Sequence, residues 1–200
     1  LAQLDMTEGL LQNAQEKLDA SEAAFRKSGL DSKGNPYYLS NSYFGFTELE
    51  YRKKNFSNAS QYLNKIEIMA SEFHYGEHLI RCQLWKAMLL AVENVKANQN
   101  EIVDLCFSAL NDASKTDHHV LRNSLNVISS DIEKLYREGQ QVEIIGIVQK
   151  IIKQAPGKLK IVQSPQDGLL ESWIENLRLR VSEWDVLSKT LKSKTKENSI

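Results

Sequence analysis

YYLSNSYFGFTELEYRKKNFSNASQYLNKIEIMASEF, residues 37–73, is the stretch whose reading decides the fold. Tyr43, Phe46 and Thr47 on one side of the polar Lys54-Asn55 pair, and Ala59, Leu63 and Ile66 on the other, recur at helical spacing. No long run alternates β-branched with polar residues, so the pattern is helical throughout. The spacing predicts two helices, over residues 37–53 and 56–73. A turn of only two residues between them makes them antiparallel neighbours.

Working outward, the same period predicts helices over residues 77–96, 99–113, 117–137 and 140–154, with breaks at Gly76, Asn98 to Asn100, Ser114 to Thr116 and Gly139. Upstream, Leu4, Leu11, Leu18 and Phe25 recur every seven residues, which predicts a helix over residues 4–27, ended by Ser28-Gly29. Residues 28–36 read as a loop closed by Pro36. Downstream, residues 155–167 form a longer connection, and Ser164, Pro165 and Asp167 read as N-cap, first helical position and first-turn acid of a last helix over residues 165–191. The expected organisation is a helical repeat domain over residues 1–154, a linker and C-terminal capping or dimerisation helix over 155–191, and a flexible basic tail over 192–200.

Composition bounds the function. The 200 residues are 42% hydrophobic and 26% charged, with only 9 glycines and 3 prolines, a soluble globular composition. Twenty-five basic against 26 acidic residues leave a net charge of −1, so no whole-chain field draws the protein onto nucleic acid or an anionic membrane. The expectation is neither direct nucleic-acid nor membrane binding, since no run reaches the ~18 apolar residues of a spanning helix. Cys82 and Cys106 are too few for a disulfide framework and sit in apolar helical patterns, which points to a reducing, cytoplasmic setting. Opening at Leu1, the chain reads as a piece of a longer protein.

The chain also repeats. A shift of 85 residues superimposes Asn41 on Asn126, Glu48 on Glu133, Tyr51 on Tyr136, Arg52 on Arg137 and Lys65 on Lys150. Ala59, Leu63 and Ile66 fall on Ile144, Val148 and Ile151, and Ile102, Cys106 and Ala109 lie halfway, giving a period of 42 or 43. A repeat of that length marks stacked supersecondary units. One amphipathic hairpin cannot cover its own apolar face, so each stacks on the next.

With Tyr43, Phe46 and Thr47 in a first helix, Ala59, Leu63 and Ile66 in a second, and Asn55-Phe56 at the turn, residues 37–154 resemble the tetratricopeptide-repeat family. The chain departs from the family in Thr47, where Gly or Ala is usual, and in a period longer than the family's own. Divergent, longer repeats of this type are familiar from bacterial regulatory proteins. The resemblance implies an all-α, right-handed α-solenoid of antiparallel hairpins with flanking terminal helices. It further implies a protein-interaction or ligand-sensing module of a larger regulatory or signalling protein, binding a peptide or protein partner in a concave groove.

The candidate partner-binding residues follow from that geometry. Tyr37, Phe44 and Tyr51 recur every seven residues with Asn41 and Glu48 beside them, and the third hairpin offers Asn126, Glu133, Tyr136 and Arg137 on the matching face. Rings flanked by polar groups suit a peptide site, because they give contact area at low entropy cost; the alternative is that neighbouring helices cover them. The alternative function is an oligomerisation scaffold, a homodimer paired through a stripe of Leu170, Ile174, Leu177, Val181, Trp184 and Leu191 on the last helix. Catalysis is not expected, nor is a cofactor or metal. His74 and His78 are four apart but Gly76 interrupts the helix between them, and His118 and His119 point about 100° apart. No phosphate-cradling glycine loop or nucleophile turn occurs in the sequence.

Overall fold

A computed structural model of the chain describes residue 6 and residues 9–27, 35–159 and 167–197. Among the described residues there are eight helices and no strand: α1 (Leu11–Lys27), α2 (Pro36–Arg52), α3 (Phe56–Glu72), α4 (Gly76–Asn94), α5 (Gln99–Ser114), α6 (His118–Arg137), α7 (Gln141–Lys158) and α8 (Asp167–Glu197). The chain is all-helical, as expected. Of these helices, none is long and apolar enough to cross a membrane. The Ser164-Pro165 helix start lies outside the described residues.

Three boundaries differ from the sequence reading. The helix expected over residues 4–27 is broken at Gly9, whose φ of +79° is a left-handed conformation that interrupts the helical ladder, so α1 runs from Leu11; Met6, before the break, is helical, and residue 4 lies outside the described residues. In α7 the helix passes through Pro156 to Lys158, where residues 155 onward read as linker. Pro156 removes a single hydrogen bond one turn from the end, and Ala155 and Leu159, both buried, hold that turn in place. Finally α8 continues through residues 192–197, which carry no glycine or proline to stop it, instead of ending at 191.

The turns that close the α2–α3 and α6–α7 hairpins have one geometry. After α2, Lys54 takes φ +60°, its N–H donates to the Tyr51 carbonyl at 2.9 Å, and the Asn55 N–H reaches back to the Glu50 carbonyl at 2.8 Å. After α6, Gly139 takes φ +94°, with the Gly139 N–H donating to Tyr136 and that of Gln140 to Leu135, both at 3.4 Å. These are Schellman caps. The two turns occupy equivalent places in the sequence repeat.

The chain forms two compact units, residues 1–89 and 90–200. In the first, α2 packs against α1 and α3, and rings from α2 also meet His78 and Trp85 of α4. That explains its composition: ten of its seventeen residues are buried, on every side. Toward α3, Phe46 stacks on Tyr62 at 4.9 Å and Leu63 and Ile66 fill the space beneath. Toward α1, Gly45 allows close approach, since a Cβ there would sit 2.5 Å from the Leu18 side chain, and the Ser21 and Ser42 hydroxyls meet at 3.1 Å. Thr47 is fully buried and donates its hydroxyl to the Tyr43 carbonyl at 2.9 Å.

The second unit packs α5 against α6 and α7, α6 against α7, and α8 against both α6 and α7. Its core comes from Ile102, Cys106 and Ala109 on α5, Leu121, Leu125 and Ile128 on α6, and Ile144, Val148 and Ile151 on α7, all buried. Burial of each larger side chain contributes roughly 1.5–3 kcal/mol.

Candidate functional site

In the first unit, three helices each turn a pair of residues one turn apart toward a common groove. α1 supplies Lys17 and Ser21, α2 supplies Asn41 and Gly45 with Glu48 beyond, and α4 supplies Arg81 and Trp85. The space enclosed is about 740 Å³, within the ~300–1,000 Å³ of ligand sites.

Phe44 is the floor. It is 3% exposed, so it carries the groove without lining it broadly. The Arg81 guanidinium lies over its ring, 3.8 Å from Cζ to the centroid, and donates from Nη1 to the Asn41 amide oxygen at 3.2 Å. Stacking on a ring fixes the plane of a guanidinium. Asn41 is itself anchored, donating from Nδ2 to the Tyr37 carbonyl at 3.2 Å. Glu48 is held by Arg52, whose Nη2 and Nε donate to one carboxylate oxygen at 2.7 and 3.1 Å.

Beside the groove lies a buried histidine. His78, in the first turn of α4, is 2% exposed and packs among Tyr37, Tyr75 and Phe44 at ring separations of 4.9, 5.5 and 5.6 Å. Neither ring nitrogen has a hydrogen-bond partner among the described residues. Burial holds its pKa below the ordinary value; the Arg81 charge adds to the shift, and the Tyr37 carbonyl, outside hydrogen-bonding geometry, opposes it in part.

Protein-family models, curated proteins and solved structures give no match to this chain. The site is therefore read from its own residues.

Of the residues singled out from sequence, the structure gathers Asn41, Phe44 and Glu48 at the groove. Tyr51 is 7% exposed, covered by Trp85 and Phe56 at 5.7 Å each, so it supports the Trp85 wall from beneath. Tyr37 is 41% exposed and turns an edge to Tyr75. Arg81, Trp85 and Lys17 were not singled out from the sequence. The signal for the α4 pair was a charged and an aromatic residue four apart, on one face of the helix.

Asn126, Glu133, Tyr136 and Arg137 lie on α6 in the second unit. Asn126 is exposed, Glu133 and Arg137 pair at 2.6 Å on the surface, and Tyr136 is buried face to face with Trp184 of α8 at 4.1 Å. The stripe on α8 faces the same way. Leu170, Ile174, Leu177 and Trp184 are buried against this chain's own helices and Val181 half-buried, while the Leu191 side chain lies outside the described residues. Trp173, beside the stripe, donates its indole N–H to the Ser129 hydroxyl at 2.8 Å. As placed, α8 caps α6 and α7; Leu179, Val186 and Leu187 face away, exposed.

The remaining chemistry-bearing groups are dispersed. Burial pushes both the Cys82 and Cys106 thiols up to about 12, where little thiolate forms. His74 sits exposed in the left-handed turn before α4, away from the face that buries His78. Among the described residues, no group of His, Cys, Asp and Glu could hold a metal ion.

Proposed function

We propose that this chain is a divergent tetratricopeptide-like solenoid of helical hairpins, serving as a protein-interaction or ligand-sensing module of a larger regulatory protein in the cytoplasm. It works by binding a peptide or protein partner, not by catalysis. One observation carries this reading: an open groove of about 740 Å³ whose walls present polar and aromatic side chains from three helices. The repeat supports it as well. At equivalent positions the first and third hairpins share an αL cap, an acid–arginine pair at 2.7 and 2.6 Å, and a tyrosine packed on a tryptophan.

The test is capture of a partner by the whole chain. Trp85→Ala, which removes a half-buried groove wall, is expected to lower capture at least fivefold while the helical circular dichroism stays within experimental error of the parent. Phe44→Ala is expected to lower both, because Phe44 is the buried floor. Capture unchanged by Trp85→Ala would place the partner elsewhere on the molecule.

A further inference from the structure

The last helix repeats α4 and leaves bare what α4 buries. A shift of 99 residues sets Arg81 and Trp85 on Arg180 and Trp184. The match is structural as well: each arginine and tryptophan wall a groove, Trp85 packs on Tyr51 and Trp184 on Tyr136, and the buried His78 falls on the buried Leu177. The same shift sets Ile80, Ala87 and Met88, all buried, on Leu179, Val186 and Leu187, which are 57%, 61% and 54% exposed. The other exposed large apolar side chains described in the second unit, Val127 and Val142, stand singly on α6 and α7. Three on one helix, at positions that its counterpart keeps buried, form an interface. This face is the opposite one to the Leu170, Ile174 and Leu177 stripe, which is buried against the chain's own helices.

The charges beside it say what covers it. Their sign reverses about Ser182, with Arg178 and Arg180 before it and Glu183 and Asp185 after it. Two copies of α8 laid antiparallel about a twofold axis at Ser182 set Leu179 against Val186 of the partner subunit. Arg178 then meets Asp185 of the partner subunit on one flank, and Arg180 meets Glu183 of the partner subunit on the other. A parallel pairing opposes like charges instead. Within the chain Arg178 pairs with Glu175 at 3.2 Å and Arg180 with Glu183 at 3.5 Å, and Asp185 has an interaction of its own. The two arginine pairs are more than half exposed, and pairs that exposed exchange partners at little cost. The third apolar side chain also finds a seat. On the Arg180 flank, between α6 and α8, lies a cleft of about 450 Å³ lined by Ile132, Leu177, Leu179 and Trp184, with Glu133 in its wall held by Arg137 at 2.6 Å. In the antiparallel register Leu187 of the partner subunit falls opposite Leu177, over that cleft. We propose that a second copy of this chain covers this face, the two α8 helices pairing antiparallel about Ser182 and each copy closing the other's cleft with Leu187. This interface is independent of the groove in the first unit.

Sedimentation equilibrium on the whole chain tests it. The expected result is a monomer–dimer equilibrium that Leu187→Glu weakens at least about tenfold, with the helical circular dichroism unchanged. Val142→Glu, on an equally open site of α7, is expected to leave the equilibrium alone. Arg178→Glu with Arg180→Glu makes all four flanking charges acidic, and Glu183→Arg with Asp185→Arg makes all four basic. Each double variant is expected to be monomeric by itself, and an equimolar mixture of the two to form a one-to-one dimer. A parent chain monomeric at every concentration would give the face to a different partner and overturn the proposal. A dimer indifferent to Leu187→Glu would lie on another face. A dimer that either double variant retains, or a mixture that stays monomeric, would overturn the antiparallel register.

Discussion

His78 shows how one side chain ties stability to pH. A histidine with both nitrogens buried and unpartnered must stay neutral, because a charge there would have neither water nor an acceptor. Its pKa in the folded chain is lowered below the ordinary 6.5, so the sign follows directly. Above 6.5 both folded and unfolded chains hold it neutral and stability does not depend on it. As pH falls through 6.5, the unfolded chain takes up a proton that the folded chain refuses, and stability drops until the folded pKa is reached. The groups facing it are Tyr37 from α2, Tyr75 from the preceding turn, and Arg81 from its own helix; Arg81 and burial act in the same direction. His78→Leu, with no nitrogen to protonate, is expected to flatten the pH dependence. Urea unfolding of the parent and variant from about pH 8 to about pH 5 checks this. The variant's stability advantage should widen as pH falls, and an advantage constant across the range would mean that His78 titrates alike in both states.

At the scale of the element, the turns were the most legible part and the fates of helix faces the least. Lys54-Asn55 reads as a turn because two helical patterns meet there, and the Asn55 side chain does cap α3, accepting from the Asn58 N–H at 3.4 Å. The sequence also shows that Tyr37, Phe44 and Tyr51 share a face of α2. It does not show what covers that face, because periodicity reports that a face is apolar and is silent about which helix packs on it. Here α1, α3 and α4 each meet a different side of α2, so the aromatic stripe became the seat of α4, and the groove opened on the neighbouring Asn41–Gly45–Glu48 line. Arg81 and Trp85 went unnoticed for the matching reason: periodicity along α4 does not show which of its polar and aromatic side chains line a groove shared with α1 and α2. The repeated cap makes a prediction at this scale. Lys54 holds φ +60°, which crowds the Cβ of an L-residue, whereas its equivalent in the later hairpin is already Gly139. Lys54→Gly is therefore expected to raise thermal stability by ~1 kcal/mol, a rise of several degrees, and Gly139→Lys to lower it similarly. Calorimetry on both variants decides it; a loss with Lys54→Gly would mean that its side chain contributes more than its backbone costs.

For the molecule as a whole, the sequence repeat predicts which positions do the same work in different places. Leu63 on α3 and Val148 on α7 are aligned by the repeat and are 1% and 0% exposed, each inside its own compact unit. Leu63 sits beneath the helix that forms the groove floor, and Val148 sits where α7 meets α5 and α6. Truncating a buried leucine to alanine costs ~2–5 kcal/mol, because the lost transfer energy is joined by that of the cavity left behind. Leu63→Ala should fall in that range, and Val148→Ala lower in it, since valine gives up fewer methyl groups. The exposed residues Ile68 and Val142, on the same two helices, supply the control: changing either to alanine should move stability by no more than ~0.5 kcal/mol. Hydrogen exchange then localises the damage. Leu63→Ala should lower amide protection first in α2 and α3, and Val148→Ala first in α5 to α7, because each cavity opens in a different core. A Leu63→Ala loss as small as that of Ile68→Ala would mean that the α2–α3 register is wrong, and with it the placement of every groove residue that α2 carries.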